Sequence, residues 1–528
     1  MSEDVEVEVD SRNLFGDFHN SSKDSWYDKN ICSRLFNSVK GILYAPGVSW
    51  IPYILICLFG MSAWVAMNGL WSEMPALVPV LPEGRKLPSI LVITTQIGNV
   101  GPLIYVIIST VTNYVKKNKI DLEVPGVFVI ILLGITTCIL LAIFWDQKAE
   151  LFGKLRSVPL LILSFLLSIV DCTSTLVYIP YMERFPEEYI NALFIGEGLG
   201  GFFPSLVALI QGAYKQYDDS NGTNSSIINE TMYAATENGT SICKDCGLLF
   251  SQDVYFVLLS IMTAISGVAF IFVNWLPMSR RLMVRRVDIT PKDKIRYTSS
   301  PCLSNDSSPL NHISSAPSSS ENSTMFDQAE NSPLMLTQQD DKKPSRPHIS
   351  EILQQIKVSP RTKELFKLTD LFLQLGWLNF LSNSAINAVS VFVFNPYGSR
   401  TYNLAVNLGN AVNPMSAFIA MFLPCQSRII TLLWTTIASI FGVTIVVLAA
   451  TAPHSLPMVD SGWGSFIVIL INILAVATLT YTKVSIARTL KDYGKAALVI
   501  CGVSIQIGSL IGALIFYFLV NNTHIFTG

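Results

Sequence analysis

Residues 125–145, PGVFVIILLGITTCILLAIFW, hold no charged side chain, and their length matches the roughly 20 residues that a helix needs to cross a bilayer. Working outward, similar stretches lie near 50–70, 89–112, 158–180, 189–213, 253–276, 369–394, 401–423, 429–451, 463–485 and 496–519. The chain has 528 residues, 50% hydrophobic and 14% charged, against roughly 25% charged in a soluble domain. Charge and Ser, Pro and Asn gather in residues 1–45, 214–252 and 278–360. This pattern predicts an all-α polytopic membrane protein of about eleven transmembrane helices.

Other classes fall away. A net charge of −2 argues against a nucleic-acid partner, which would require a basic face. The nine cysteines are mostly lone residues within apolar runs, so a disulfide-stapled secreted fold is excluded. Residues 1–45 lack the apolar core of a signal peptide, so the first span is expected to act as the insertion signal. Neither a phosphate-cradling loop nor a nucleophile–base constellation is found, so the chain reads as neither an ATPase nor an enzyme. No cofactor or metal is expected.

Basic residues set the expected orientation, because short cytoplasmic loops carry the excess. With the N-terminus inside, the outside loops hold only Arg85, Lys86, Lys148, Lys154, Arg156, Lys215, Lys244 and Arg400, eight of 36. Asn221, Asn224, Asn229 and Asn238 each begin N-x-S/T in the 214–252 loop, which this topology places outside, where glycosylation occurs. Cys243 and Cys246 form C-K-D-C in the same loop, where oxidising conditions favour a local disulfide. The expected organisation is a cytoplasmic tail (1–48), a six-helix half (49–277), a disordered cytoplasmic linker (278–364), a five-helix half (365–520) and an extracellular C-terminus (521–528). Gln96–Pro102 (QIGNVGP) and Asn407–Pro414 (NLGNAVNP) are each in the second span of a half. That placement suggests a parallel repeat with a central site.

Polar groups inside spans are costly and usually face a cavity. Glu73, Asp171 and Glu197 are candidate coupling or gating carboxylates, since desolvation favours the neutral form of a carboxyl group. Helix capping or local bonds to Ser and backbone groups would explain them equally well. Asn68, Trp71, Gln96 and Asn99 are candidates for one wall of a substrate site, with Trp377, Asn379 and Asn410 opposite. Amides can read the edge of a planar polar solute and aromatic faces can stack on it. Helix packing and interfacial anchoring are the plainer readings of the same residues. Lys483 is placed near an inner span end, so the cavity is expected to hold no cation, and the substrate to be neutral or cationic.

NGLWSEMPALVPVLPEG (68–84), QIGNVGPL (96–103), VDCTSTLVYIPYM (170–182), FIGEGLGGFFPSLVALIQG (194–212) and, more loosely, NLAVNLGNAVNPMSAFIAMF (403–422) resemble the animal riboflavin transporter family. The resemblance covers the membrane segments but not the N-terminal tail, the 214–252 loop or the linker. It implies an eleven-span, major-facilitator-like fold akin to equilibrative nucleoside transporters. It also implies sodium-independent uptake of riboflavin across the plasma membrane, responsive to acidic pH in some members and little in others. The chain is expected to sit in the lipid bilayer as a monomer. A carrier of nucleosides or another neutral heterocycle, or a receptor that binds without transport, remain the alternatives.

Overall fold

The computed structural model describes residues 49–116, 122–151, 153–213, 247–283, 367–425, 427–452, 456–459 and 461–526, with three short strands between 214 and 246. The N-terminal tail and the linker from 284 to 366 lie outside the described residues. So do Asn221, Asn224, Asn229 and Asn238 and the side chains of Cys243 and Cys246.

The first span is bent. Helices α1 (Trp50–Met61) and α2 (Val65–Ser72) meet at 51°. The Ser62 hydroxyl donates to the Phe59 carbonyl at the break, satisfying a backbone oxygen where the helix is interrupted. A short helix α3 (Met74–Leu77) follows among the prolines of 75–82. The second span is α4 (Leu87–Ile97) continued by α5 (Val100–Lys116) across Gly98 and Asn99. Next come α6 (Glu123–Phe144), α7 (Val158–Met182), α8 (Ile190–Gln211), α9 (Gln252–Trp275) and the short α10 (Pro277–Leu282).

After the linker, α11 (Thr369–Asn379), a π-helical turn (Phe380–Ala385) and α12 (Ile386–Phe394) form one span. The chain ends in α13 (Ser399–Phe422), α14 (Arg428–Thr451), α15 (Gly462–Lys491) and α16 (Lys495–Asn522). A hairpin of β1 (Ala149–Leu151) with β2 (Lys154–Arg156) joins α6 to α7. In the 214–246 loop, β5 (Thr240–Cys243) pairs antiparallel with both β3 (Gln216–Asp218) and β4 (Met232–Tyr233).

Helices therefore occupy all eleven expected stretches. Among the described residues, nine helical stretches are long and apolar enough to cross a membrane, and the bent α1–α2 pair makes a tenth. The eleventh, α13, has the length but not the apolarity. Asn403, Asn407, Asn410 and Asn413 interrupt it. It is wedged between α8 and α15, so protein surrounds those amides.

Between apolar helices in lipid, association rests on close packing rather than on exclusion of water. A cluster of rings ties α1, α7 and α9 together, with centroids 4.6 Å apart for Phe59–Tyr178, 4.9 Å for Phe59–Phe270 and 5.1 Å for Tyr181–Phe270. Small residues bring backbones into contact elsewhere. A Cβ on Gly196 would lie 2.0 Å from the Cys57 carbonyl oxygen, and one on Gly508 2.0 Å from that of Gly376. Those two contacts lock α8 onto α1 and α16 onto α11.

Candidate functional site

Helices α2, α4, α7 and α8 on one side and the π turn with α12, α13, α15 and α16 on the other enclose a cavity of about 480 Å³. Small-molecule sites commonly measure roughly 300–1,000 Å³. Trp64, Trp71 and Phe394 supply aromatic surface, while Asn68, Gln96, Asn387, Asn410, Asn413 and Asn472 supply amides. Both glycine–asparagine runs reach it, through Gln96 and Asn99 and through Gly409, Asn410 and Asn413. Among the described residues, no three His, Cys, Asp or Glu side chains gather as a metal site would need.

Of the substrate-site candidates, Asn68, Trp71, Gln96, Asn99 and Asn410 line the cavity. Asn68 fits because Gly201 faces it, and a Cβ there would lie 3.2 Å from its Nδ2. The Asn99 amide donates to Gln506 Oε1 at 3.0 Å, and the Asn410 amide to the Ser72 hydroxyl at 3.2 Å. Trp377 and Asn379 do not line the cavity. The indole Nε1 of Trp377 donates to Ser439 Oγ at 2.9 Å, and its ring stacks on Phe380 with 43% of the residue exposed. Asn379 is buried behind the wall, donating to the Leu375 carbonyl and accepting from Asn383. The π-helical turn that begins at Phe380 changes the facing along this span, so Asn383 lines the cavity while Asn379 does not.

The three carboxylates separate. Asp171 and Glu197 line the cavity, and Asp171 Oδ1 and Glu197 Oε1 are buried without a partner among the described residues. Gln96 Oε1 is in the same condition. Glu73 stands outside the cavity, 1% exposed, accepting from Gln211 Nε2 at 2.9 Å.

The expected absence of a cation is wrong. Lys483 lines the cavity, and its Nζ donates to Ser382 Oγ at 2.8 Å and to Asn383 Oδ1 at 3.3 Å. Helix α15 has 30 residues, longer than a bilayer crossing needs at 1.5 Å per residue. Lys483 shares the cavity-facing side of this helix with Asn472, Val476, Leu479 and Thr480, which brings its amine to the π turn. The threonines flanking it are a usable sequence signal, since Thr480 Oγ1 donates to Asn413 across the same wall at 2.6 Å.

At one end of the bundle, hydrogen bonds join the two sets of helices. Asn403 at the start of α13 donates to the Gly212 carbonyl at 2.6 Å, just beyond α8. Asn521 at the end of α16 donates to Ser89 Oγ at 3.1 Å, at the start of α4. Glu73 belongs to this region through Gln211, whose backbone carbonyl also accepts from Leu249 N–H at 2.8 Å.

Comparison with known proteins follows the same line. The family described as solute carrier family 52, riboflavin transporter, matches residues 48–528. "Riboflavin transporter 2" of Salmo salar is 34% identical over 479 residues, covering 89% of this chain and 96% of that protein. "Solute carrier family 52, riboflavin transporter, member 3" of Homo sapiens is 28% identical over 501 residues, covering 91% and 98%. Among solved structures, a D-xylose–proton symporter superimposes with a TM-score of 0.44 at 9% identity, covering 89% of this chain and 88% of that one.

Proposed function

This multi-pass membrane chain belongs to the solute carrier family 52 riboflavin transporters, and we propose that it moves riboflavin across the plasma membrane by alternating access around the cavity. The observation that carries the reading is a small-molecule cavity between two sets of helices, lined by amides, carboxylates and tryptophans. Riboflavin is uncharged, with a flat ring system, an imide edge and a hydroxylated tail. Aromatic faces and amides suit both parts.

A six-helix half (49–277) and a five-helix half (365–520) rock around the bound solute, driven by the solute's own gradient without sodium. Asp171 and Glu197 are placed to make uptake responsive to protons. The distribution of basic residues supports a cytoplasmic N-terminus and an extracellular C-terminus. On that orientation the end bridged by Asn403–Gly212 and Asn521–Ser89 faces outward, which supports reading this conformation as closed on the outer side. The working unit in this reading is a monomer.

The test is initial-rate uptake of labelled riboflavin into cells expressing the full chain, in neutral and mildly acidic medium, with excess unlabelled riboflavin or uridine. Saturable uptake blocked by riboflavin but not by uridine is expected. Competition by uridine would move the assignment to a nucleoside carrier, and binding without accumulation to a receptor. With surface expression verified, absence of uptake in both media would remove the transport reading.

A further inference from the structure

Among the described residues, unpartnered acceptor oxygens gather on one wall of the cavity and its one cation stands on the other. On the side of α4, α7 and α8, Gln96 Oε1, Asp171 Oδ1 and Glu197 Oε1 are buried acceptors without a partner among the described residues. The opposite wall carries one ammonium group. Lys483 has no carboxylate at ion-pair distance among the described residues, and its Nζ bonds to Ser382 and Asn383. An ammonium has three N–H donors and no acceptor. Two are used here, and the third belongs to a side chain that lines the cavity. The π-helical turn holds the arrangement. It turns the successive residues Ser382 and Asn383 toward α15, and Ser382 Oγ donates to Asn383 Oδ1 at 3.0 Å.

We infer that Lys483 is a specificity-determining residue that donates to a carbonyl oxygen on the imide edge of the flavin ring, while Gln96, Asp171 and Glu197 accept from the hydroxyls of the tail. The inference rests on riboflavin being the solute. Its basis is the pairing of donors with acceptors. The tail is a row of O–H donors, whereas the ring edge presents two carbonyls around a single N–H. The reverse placement would still give the ammonium a hydroxyl oxygen to bond, but it would set two carbonyl oxygens and a single N–H against three unpartnered acceptor oxygens. A buried polar group left unpaired costs more than the net worth of the bond itself.

Lumichrome, which keeps the tricyclic ring and imide edge but lacks the tail, separates the two walls. Its inhibition constant and that of riboflavin are compared in cells expressing wild type, Lys483→Met, Lys483→Arg and Asp171→Asn at verified surface levels. Lys483→Met is expected to weaken both compounds by the same factor, about tenfold for a lost charge-assisted bond. Lys483→Arg keeps both close to wild type, and Asp171→Asn weakens riboflavin alone.

Weakening of riboflavin alone by Lys483→Met would overturn the inference by assigning the amine to the tail. No change in either constant would overturn it by reducing Lys483 to a support for the π turn. A measurement that needs no variant covers misfolding and lack of lumichrome binding. The infrared carbonyl stretch of riboflavin bound to purified wild-type protein should fall below its value in water, and an unshifted or raised band overturns the inference. Loss of riboflavin uptake in the wild type would instead remove the substrate reading beneath it.

Discussion

The side-chain amide of Asn403 donates to the carbonyl oxygen of Gly212 at 2.6 Å and lies 3.4 Å from that of Ala208. One side chain thus spans the break between the C-terminal end of α8 and the first turn of α13. The Asn521–Ser89 bond repeats the arrangement between α16 and α4 at the same end. These are polar bonds between helix ends, which the proposed cycle would break and remake while the ring cluster among α1, α7 and α9 stays intact.

Closure at this end predicts a switchable block. A chain carrying Ser89→Cys and Asn521→Cys should form a cross-link under mild oxidation. Riboflavin uptake should then fall to background and return on reduction. Uptake that continues while the cross-link is seen by mass shift would mean that this end does not open during transport.

The positions of the carboxylates predict different kinetics. Asp171 faces the cavity, so Asp171→Asn should raise KM for riboflavin by about tenfold, the scale of one charge-assisted bond. Glu73 lies behind the closed end, so Glu73→Gln should leave KM within about twofold and lower the maximal rate. Uptake kinetics at matched surface expression distinguish the two patterns. A raised KM for Glu73→Gln would place that carboxylate in the substrate site.

Cys172 lines the cavity beside Asp171 and is partly accessible. A small membrane-permeant thiol reagent should therefore inhibit uptake, and saturating riboflavin should slow the inhibition. Cys172→Ser should remove the sensitivity. Persistence of the inhibition in Cys172→Ser would assign it to another thiol.

Backbone contact at Gly196 predicts a folding defect. Gly196→Ala would put a methyl group 2.0 Å from the Cys57 carbonyl oxygen and 2.9 Å from Gly60 Cα. Backbone cannot yield as a side-chain tip can, so the loss should be about 3 kcal/mol or more. It is read as a lower melting temperature in detergent. Gly502→Ala, with nothing within 4 Å of the new Cβ, should melt like the wild type.

Most of the helical layout is legible in the sequence because an apolar stretch of bilayer length has few alternatives. Rotation of each helix about its axis is not. Asn379 and Asn383 are four residues apart in one polar stretch, yet only Asn383 lines the cavity. Trp377 sits near both in sequence but reaches Ser439 instead. Such phases depend on which neighbour covers which face, and on the π turn that shifts the helix register within this span. The cation in the cavity is hidden from the sequence for a related reason. Whether Lys483 faces the cavity depends on the rotation of α15 against the π turn, which hydropathy alone does not give.

The polarity of α13 bears on how the chain is made. A helix interrupted by four asparagines gains little by entering lipid alone, because each unpaired amide there is costly. Its two principal neighbours differ in timing: α8 is already synthesised when α13 emerges, and α15 is not. The order of synthesis therefore favours α13 entering the membrane against α8, sheltered by the helix with which it will later form the closed end. On that account, α13 joins the helices made before it through a long-range contact across the linker, and the C-terminal helices complete their packing only when α15 follows.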